Sequence, residues 1–225
     1  MLARTSMPDR RRLFDLALTL PALPLVVPVL GLVALVVRLI DGRPVFFVQP
    51  RVGRYRVPFP LFKFRTMVRD AERVVTQVTA AGDARITRLG RFLRQWKLDE
   101  LPQLVNVVRG EMSLVGPRPE VERYVRHYRP EWEPIFSVRP GITDEVSLVF
   151  RHEQELLAGC DAPEEAYREI VMPAKVELAM AALADPSVLH DVGILWRTLG
   201  AVLGRGGQNE HAVLVSVRER LRRMS

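Results

Sequence analysis

Asp99 and Glu100 stand side by side between a basic amphipathic stretch and an apolar one, with Arg94 five residues earlier and Arg118 and Arg139 in proline-bounded turns further on. An aspartate can attack phosphorus to give an acyl-phosphate, dividing one group transfer into two steps. A hard ion such as Mg²⁺ is commonly held by one or two carboxylates together with substrate phosphates. Arginines can then neutralise charge on the phosphoryl oxygens. The dyad also has a structural explanation. Asp99 stands where a helix N-cap belongs and Glu100 in the first turn, with Pro102 close behind, so both acids would favour the helix dipole. The two roles are compatible, because a helix N-terminus is itself an anion site. Other reaction centres are lacking. The chain has no Gly-rich phosphate loop, GxSxG, HExxH or paired CxxC, its four histidines are scattered, and its single cysteine, Cys160, has no activating neighbour.

The elements that must position the dyad follow from pattern. Over Ile86–Lys97, Ile86, Leu89, Phe92, Leu93 and Trp96 fall within an arc of roughly 120°, with Arg88, Arg91, Arg94 and Lys97 opposite. Such a helix lies on a membrane surface or binds phosphate, or else packs its apolar face on the core and leaves a solvated basic face. Glu100–Arg109 reads as the next helix, stopped by Gly110. Thr66–Ala80 has a helical period, and Val45–Gln49 with Pro60–Phe64 reads as an irregular hairpin. Ser113 to Pro119 is a rigid turn in which Pro119 holds Arg118 on an extended backbone. Arg139-Pro140-Gly141-Ile142 is a second such turn. Helices are predicted at Pro163–Leu183 and Ser187–Leu203, the latter packed on the core in preference to a homodimer contact. Arg205-Gly206-Gly207 then frees a basic tail over residues 204–225.

Leu16 to Val37 is a run of 22 uncharged residues, which as a straight helix would reach roughly 33 Å, enough to cross a hydrocarbon core. Pro21, Pro24 and Pro28 interrupt it, and each interior proline removes a helix hydrogen bond. Both flanks are basic: Arg4, Arg10, Arg11 and Arg12 before, and Arg38, Arg43, Arg51, Arg54, Arg56, Lys63 and Arg65 after. Because Lys and Arg stay cytoplasmic, a single crossing would put one cluster on the wrong side. A re-entrant hairpin broken at Pro24 and Pro28, dipping into one leaflet and returning, satisfies both flanks. A single-pass anchor is the plainer alternative.

Composition agrees with a membrane-surface protein. The 225 residues suit one domain, with about 10–40 as the membrane segment and 41–203 as the globular part. With 48% apolar and 26% charged residues the chain is not disordered. Its 33 basic and 26 acidic residues give +7, which favours an anionic partner. Only 7% of residues are aromatic, a thin supply for stacking bases, although composition alone leaves nucleic acid, a lipid surface and a phosphorylated substrate all open. Through Asp70 there are 12 basic and 4 acidic residues, which places the basic end toward anionic lipid. A basic binding protein on the membrane and a catalytically inactive scaffold are the competing readings.

Several blocks together carry a resemblance: Arg11-Arg12-Leu13-Phe14-Asp15, Gly42-Arg43-Pro44-Val45-Phe46-Phe47, Phe62 to Met67, Lys97 to Leu104, Gly110 to Glu120 and Arg139 to Thr143. Over roughly residues 10–203 the chain resembles the bacterial sugar transferases, the monotopic phosphoglycosyl transferases. The resemblance implies a helix-rich α/β fold with a small irregular sheet, interfacial amphipathic helices and an N-terminal re-entrant membrane helix, held at the cytoplasmic face of the bacterial inner membrane. It implies transfer of a sugar 1-phosphate from a UDP-sugar to polyprenyl phosphate with release of UMP, the first step of polysaccharide or glycoconjugate assembly. It makes Asp99 the nucleophile and Mg²⁺ ligand, and Glu100 its assisting base. Arg94 matches the upstream arginine, Pro117-Arg118-Pro119 the turn near the active site, and Lys63 and Arg65 a basic block near the membrane. Two departures stand out. Val27 precedes Pro28 where serine is usual, and Asp144-Glu145-Val146-Ser147 replaces the common Gly-Trp-Ala-Gln, which leaves the sugar open.

Overall fold

The structure, a computed structural model, describes residues 10–69, 71, 81–184, 187–204 and 211–223. It is helix-rich with two small sheets. A long helix α1 (Arg10–Ile40) is followed by β1 (Phe46–Val52) and β2 (Pro58–Phe64), then α2 (Arg88–Gln95) and α3 (Gln103–Arg109). Next come β3 (Ser113–Val115), α4 (Glu122–Val125) and β4 (Gly141–Thr143), then α5 (Glu145–Val149), α6 (Glu153–Ala158) and α7 (Pro163–Ala166). A single π-helical turn at Tyr167–Val171 leads into α8 (Met172–Leu183), α9 (Val188–Val202) and α10 (Ala212–Arg222).

α1 is helical through Pro21, Pro24 and Pro28, so the expected interruption at Pro24 and Pro28 does not occur. Each proline withdraws one N–H and opens the helix on its own side. Spaced three and four residues apart, the three fall within an arc of roughly 60°, so their effects add as a bend in one direction and no turn is lost. Both ends of α1 pack on the same body. At its start Arg12 donates to the Val107 and Val108 carbonyls, the latter at 2.7 Å. One turn later the buried Asp15 carboxylate accepts from Ser113 Oγ at 2.8 Å and from the Leu114 amide at 2.9 Å. At its far end Val33 and Val37 are buried against Phe64 and Leu93. Between these anchors Leu20, Leu25, Val27 and Val29 are exposed, an apolar surface that the described residues leave uncovered.

The expected hairpin is present with longer strands. β1 and β2 pair antiparallel, from Phe46 opposite Phe64 to Val52 opposite Pro58. Pro50 faces Pro60. Neither has an N–H, so the two share a position where the ladder asks for none. The predicted helix over Thr66–Ala80 fails at its start, because Met67 forms a β-bridge with Ile86 and residues 65–68 are not helical; residues 70 and 72–80 lie outside those described. The two proline-bounded turns hold a feature that three-residue segments cannot announce by period: β3 and β4 pair in parallel, Ser113 with Gly141 and Val115 with Thr143. The basic tail is not free either. Over its described residues it is α10, whose Val217 and Leu221 are buried in the main core with Tyr124, Phe150, Ile170 and Val176.

Close backbone contact fixes α2. Thr87 Oγ1 accepts from the Gly90 amide at 2.8 Å as the N-cap and donates to Asp41 Oδ2 at 2.8 Å, tying α2 to the end of α1. Gly90 lies directly on Thr66: a Cβ there would sit 2.7 Å from the Thr66 carbonyl carbon and collide with its oxygen. Gly90→Ala should therefore push α2 off Thr66 and destabilise the protein by about 1–3 kcal/mol, as overpacking does. Thermal unfolding in detergent checks this, and an unchanged midpoint would show that the approach is not required.

Candidate active site

The dyad sits at a sharp change of chain direction. α2 ends at Gln95 with Trp96 as its C-cap, and Lys97 takes the left-handed conformation (φ 54°) that glycine usually supplies at a helix C-terminus. A single 3₁₀ turn, Leu98–Glu100, then carries both acids before α3 begins. The N-cap of α3 is Pro102, and no side chain caps it. The capping role expected of Asp99 is therefore not the one it plays: the intervening turn moves it away from the helix end and into the protein. Asp99 is 6% and Glu100 8% exposed.

Burial treats the two carboxylates differently. Glu100 Oε1 accepts from Lys63 Nζ at 3.2 Å and from Arg118 Nη2, while Oε2 accepts from Arg118 Nη1 at 3.3 Å. Arg118 thus grips it with both prongs of its fork. Burial alone would raise the Glu100 pKa, but Arg118, Lys63 and Lys97 outweigh it and hold the carboxyl well below its ordinary range. Asp99 Oδ1 is buried and has no hydrogen-bond partner among the described residues. Burial first, and the Glu100 charge second, push the Asp99 pKa up, against a smaller pull from Lys63, Lys97 and Arg94. On Lys63 burial dominates and brings the ammonium down to about 8, although Glu100 pulls it upward.

Each cation around the dyad is fixed by a different part of the fold. Lys63 is the penultimate residue of β2. Arg94, expected near the dyad, is half-buried on α2, and its Nε donates to Thr66 Oγ1 at 2.8 Å. Arg118 is held by its neighbours' backbone. Pro117 O accepts from the Gly141 amide at 3.0 Å, Pro119 O from Arg51 Nη1 at 3.1 Å, and Glu120 O from the Val52 amide at 3.0 Å. Gly116 and Gly141 meet backbone to backbone, where a Cβ on Gly141 would lie 2.7 Å from Gly116 Cα.

Asp99, Glu100, Arg94, Lys63, Pro117, Arg118 and Pro119 thus converge on one site. The other two expected phosphate-binding residues are placed at helix C-termini, where unpaired carbonyls and the dipole attract cations. Arg139 Nε donates to Gly110 O at 2.9 Å at the end of α3. Arg65 donates to the Asp41 carbonyl and, at 3.1 Å, to that of Gly42 beyond α1; its Nε and Nη1 are buried without a partner among the described residues. Sequence reasoning missed the support behind Arg118. Arg51 pairs with Glu120 at 3.0 Å, and Tyr167 donates to Glu120 Oε2 at 2.6 Å from the π-helical turn. The only signal was chemical: a glutamate directly after Pro-Arg-Pro, once buried, needs a cation.

A buried carboxylate with a free oxygen, ringed by cations, suits nucleophilic attack on phosphorus or a share in a hard metal ion. Among the described residues no cluster of three or more His, Cys, Asp or Glu is placed to hold a metal, so an ion here would lean on Asp99 and on phosphate oxygens.

Comparison with known proteins gives concordant results. A family model described as bacterial sugar transferase matches residues 7–205. A UDP-galactose-lipid carrier transferase of Erwinia amylovora is 33% identical over 221 residues, covering 92% of this chain and 43% of its own. A UDP-N-acetylgalactosamine-undecaprenyl-phosphate N-acetylgalactosaminephosphotransferase of Aeromonas hydrophila is 38% identical over 197 residues, 86% of this chain and 43% of its own. A UDP-glucose:undecaprenyl-phosphate glucose-1-phosphate transferase of Escherichia coli K12 is 37% identical over 194 residues, 84% of this chain and 39% of its own. The chain spans less than half the length of each of these three relatives.

The geometry of Asp99 separates a stabilising cap from a group held ready at a cost. A carboxyl whose pKa is raised in the fold favours folding when protonated, below its unfolded value, and loses that contribution as pH rises through the folded one. At neutral pH the ionised Asp99 is therefore a burden. Asp99→Asn should raise the melting midpoint by roughly 2–4 °C, the shift that about 1 kcal/mol produces at this size. The gain should vanish in acid. A lower midpoint in the variant at pH 7 would restore the capping role.

Proposed function

The chain belongs to the bacterial sugar transferase family, and from that premise we propose that it transfers a sugar 1-phosphate from a UDP-sugar to membrane polyprenyl (undecaprenyl) phosphate, releasing UMP. The observation that carries this reading is Asp99, buried, with one carboxylate oxygen unpartnered among the described residues and Lys63, Lys97 and Arg94 close enough to act on its charge. In the first step an Asp99 oxygen attacks the β-phosphorus that bears the sugar. The bond from that phosphorus to the bridging oxygen breaks, and UMP leaves with the bridging oxygen. In the second step an oxygen of polyprenyl phosphate attacks the same phosphorus, the bond to Asp99 breaks, and the carboxylate is free again.

Glu100 acts mainly by position. Held ionised by Arg118 and Lys63, it has little affinity for a proton near neutral pH, and its work is to set those two cations beside the phosphoryl groups. Arg94, anchored on Thr66, keeps positive charge on the other side of Asp99. Mg²⁺ would be held by Asp99 together with donor phosphate oxygens, and when bound it would supply further neutralisation of phosphate charge.

The proposed membrane placement rests on α1. It is long and apolar enough to enter a bilayer, yet its two ends pack on one body and both flanks are basic. This supports a helix that dips into one leaflet and returns, leaving the site on the cytoplasmic face of the inner membrane, where a soluble nucleotide sugar meets a lipid phosphate beside anionic headgroups. Which sugar is carried follows from neither the dyad nor the cations.

UMP release from a panel of UDP-sugars, with undecaprenyl phosphate and Mg²⁺ in detergent, tests the reaction. One or two donors should react, and Asp99→Asn should lower the rate by roughly 10³-fold or more while the fold is kept. Equal rates in the variant would remove Asp99 from the chemistry. The pH profile tests Lys63. As pH rises through about 8 its ammonium loses the charge that faces the phosphates, so the rate should fall on that limb. Lys63→Arg should keep activity and move the alkaline limb upward, because guanidinium stays charged. A limb that stays in place in that variant would assign it to another group.

A further inference from the structure

α7, the π-helical turn Tyr167–Val171 and α8 run on as one helix from Pro163 to Leu183, with one residue more than an α-helix would hold. Single π turns are rare and recur at functional sites. Here the extra residue acts on Tyr167. Eight residues of α-helix would put Lys175 about 80° around the axis from Tyr167, but with one residue absorbed by the π turn the two are about 20° apart. Lys175 Nζ lies 5.3 Å from the centre of the Tyr167 ring, and Tyr124 packs against that ring with centroids 5.0 Å apart. Lys175 is itself fixed to Glu153 of α6 at 2.6 Å. So clamped, the buried tyrosine donates its hydroxyl proton to Glu120 Oε2 at 2.6 Å.

Packing alone needs no hydroxyl at this place, because the ring of a phenylalanine would fill it. The carboxylate that the hydroxyl meets is the one behind the Pro-Arg-Pro turn. Glu120 Oε1 accepts from Arg51 Nη1 at 3.0 Å and from the Val121 amide at 2.9 Å. The same Arg51 nitrogen donates to Pro119 O at 3.1 Å, beside Arg118. We propose that Tyr167 is a positioning residue for the transfer, its hydroxyl acting through Glu120 and Arg51 to fix the peptide that aims Arg118 at Glu100 and the phosphoryl groups. Burial would raise the Glu120 pKa, but Arg51, Lys175 and the Tyr167 hydrogen bond outweigh it and hold the carboxyl below its ordinary range. Without the hydroxyl, a buried charged oxygen loses its partner, and the carboxylate must turn to find another, drawing Arg51 and Pro119 with it. The inference rests on the proposed transfer, and the test separates the two.

UMP release in detergent, with undecaprenyl phosphate and a donor that the wild type turns over, is compared among the wild type, Tyr167→Phe, Arg118→Lys and the double variant. Deuterium exchange of residues 113–121 is followed in the same four proteins. Tyr167→Phe should lower kcat/KM by about 10-fold, as a small misplacement of a charged group does. It should also speed exchange across 113–121 severalfold while α8 exchanges as before. In the Arg118→Lys background the same change should cost less than about 2-fold, because the group being positioned is gone. An unchanged rate in Tyr167→Phe overturns the inference, and so does an equal loss in both backgrounds. Exchange that quickens equally in α8 and in the turn would mark a general loss of packing and overturn it as well. If Arg118→Lys is too slow to assay, exchange decides, and an unaltered turn in Tyr167→Phe overturns the inference. No release by the wild type from any donor would instead strike the transfer reading itself.

Discussion

Glu100 is a carboxylate taken almost wholly out of water, and it is tolerable there only because Lys63 and Arg118 meet it from two directions. A buried charge stripped of its partner costs several kcal/mol, on the order of 3–5. The three groups come from the end of β2, the turn after α2 and the Pro-Arg-Pro turn, so one electrostatic requirement brings three remote segments together. Each cation depends on the same carboxylate. The result is a positive site set in place by the fold itself, which is what the proposed phosphoryl transfer would need of a protein that contributes mainly position and charge.

The backbone around that triad is fixed by contacts that leave no slack. Gly116 and Gly141 touch without side chains between them, and the Pro117 and Pro119 carbonyls are both occupied on either side of Arg118. The same short sheet reaches the apolar helix α1, because its Asp15 binds Ser113 and Leu114 of β3, only a few residues before Arg118. At the other end of α1, Asp41 binds the N-cap Thr87 of α2, the helix that carries Arg94. Both anchors of the apolar helix are thus one element away from the site. In the proposed reaction, seating α1 in the bilayer and setting the cations become parts of one arrangement.

The parts legible in the sequence were those with a local signature. Apolar periodicity located α2 and α3, β-prone runs and turn prolines located the hairpin, and the adjacent acids marked the site. What escaped was set by tertiary contact. The helical wheel left the basic face of α2 open between solvent and phosphate, and what it could not give is the partner that holds Arg94, because the Thr66 side chain reaches it only through the close approach that Gly90 permits. Arg139 and Arg65 belong by type to a phosphate site, yet unpaired carbonyls at helix ends compete for them, and that competition depends on where helices end in space. β3 and β4 are three residues each and meet across the sequence that includes α4. No window of the sequence contains both.

Asp99 and Glu100 are chemically alike and adjacent, yet the fold gives one a full set of partners and leaves the other an oxygen without any among the described residues. Neighbouring carboxylates cannot both be easily ionised in a buried site unless charge is supplied to them, and here it is supplied unequally. Glu100 takes the contacts with Lys63 and Arg118, and its charge in turn pushes the Asp99 pKa up. A carboxylate left short of hydrogen bonds is a better nucleophile than one tied down by arginine, because fewer bonds must break as it attacks. The left-handed Lys97 places Asp99 on the unsatisfied side of this division, at a strain cost of about 1–2 kcal/mol for a non-glycine residue. Strain at Lys97, an unpartnered oxygen on Asp99 and a saturated Glu100 are therefore one device: stability given up at a single atom, and compensated next to it.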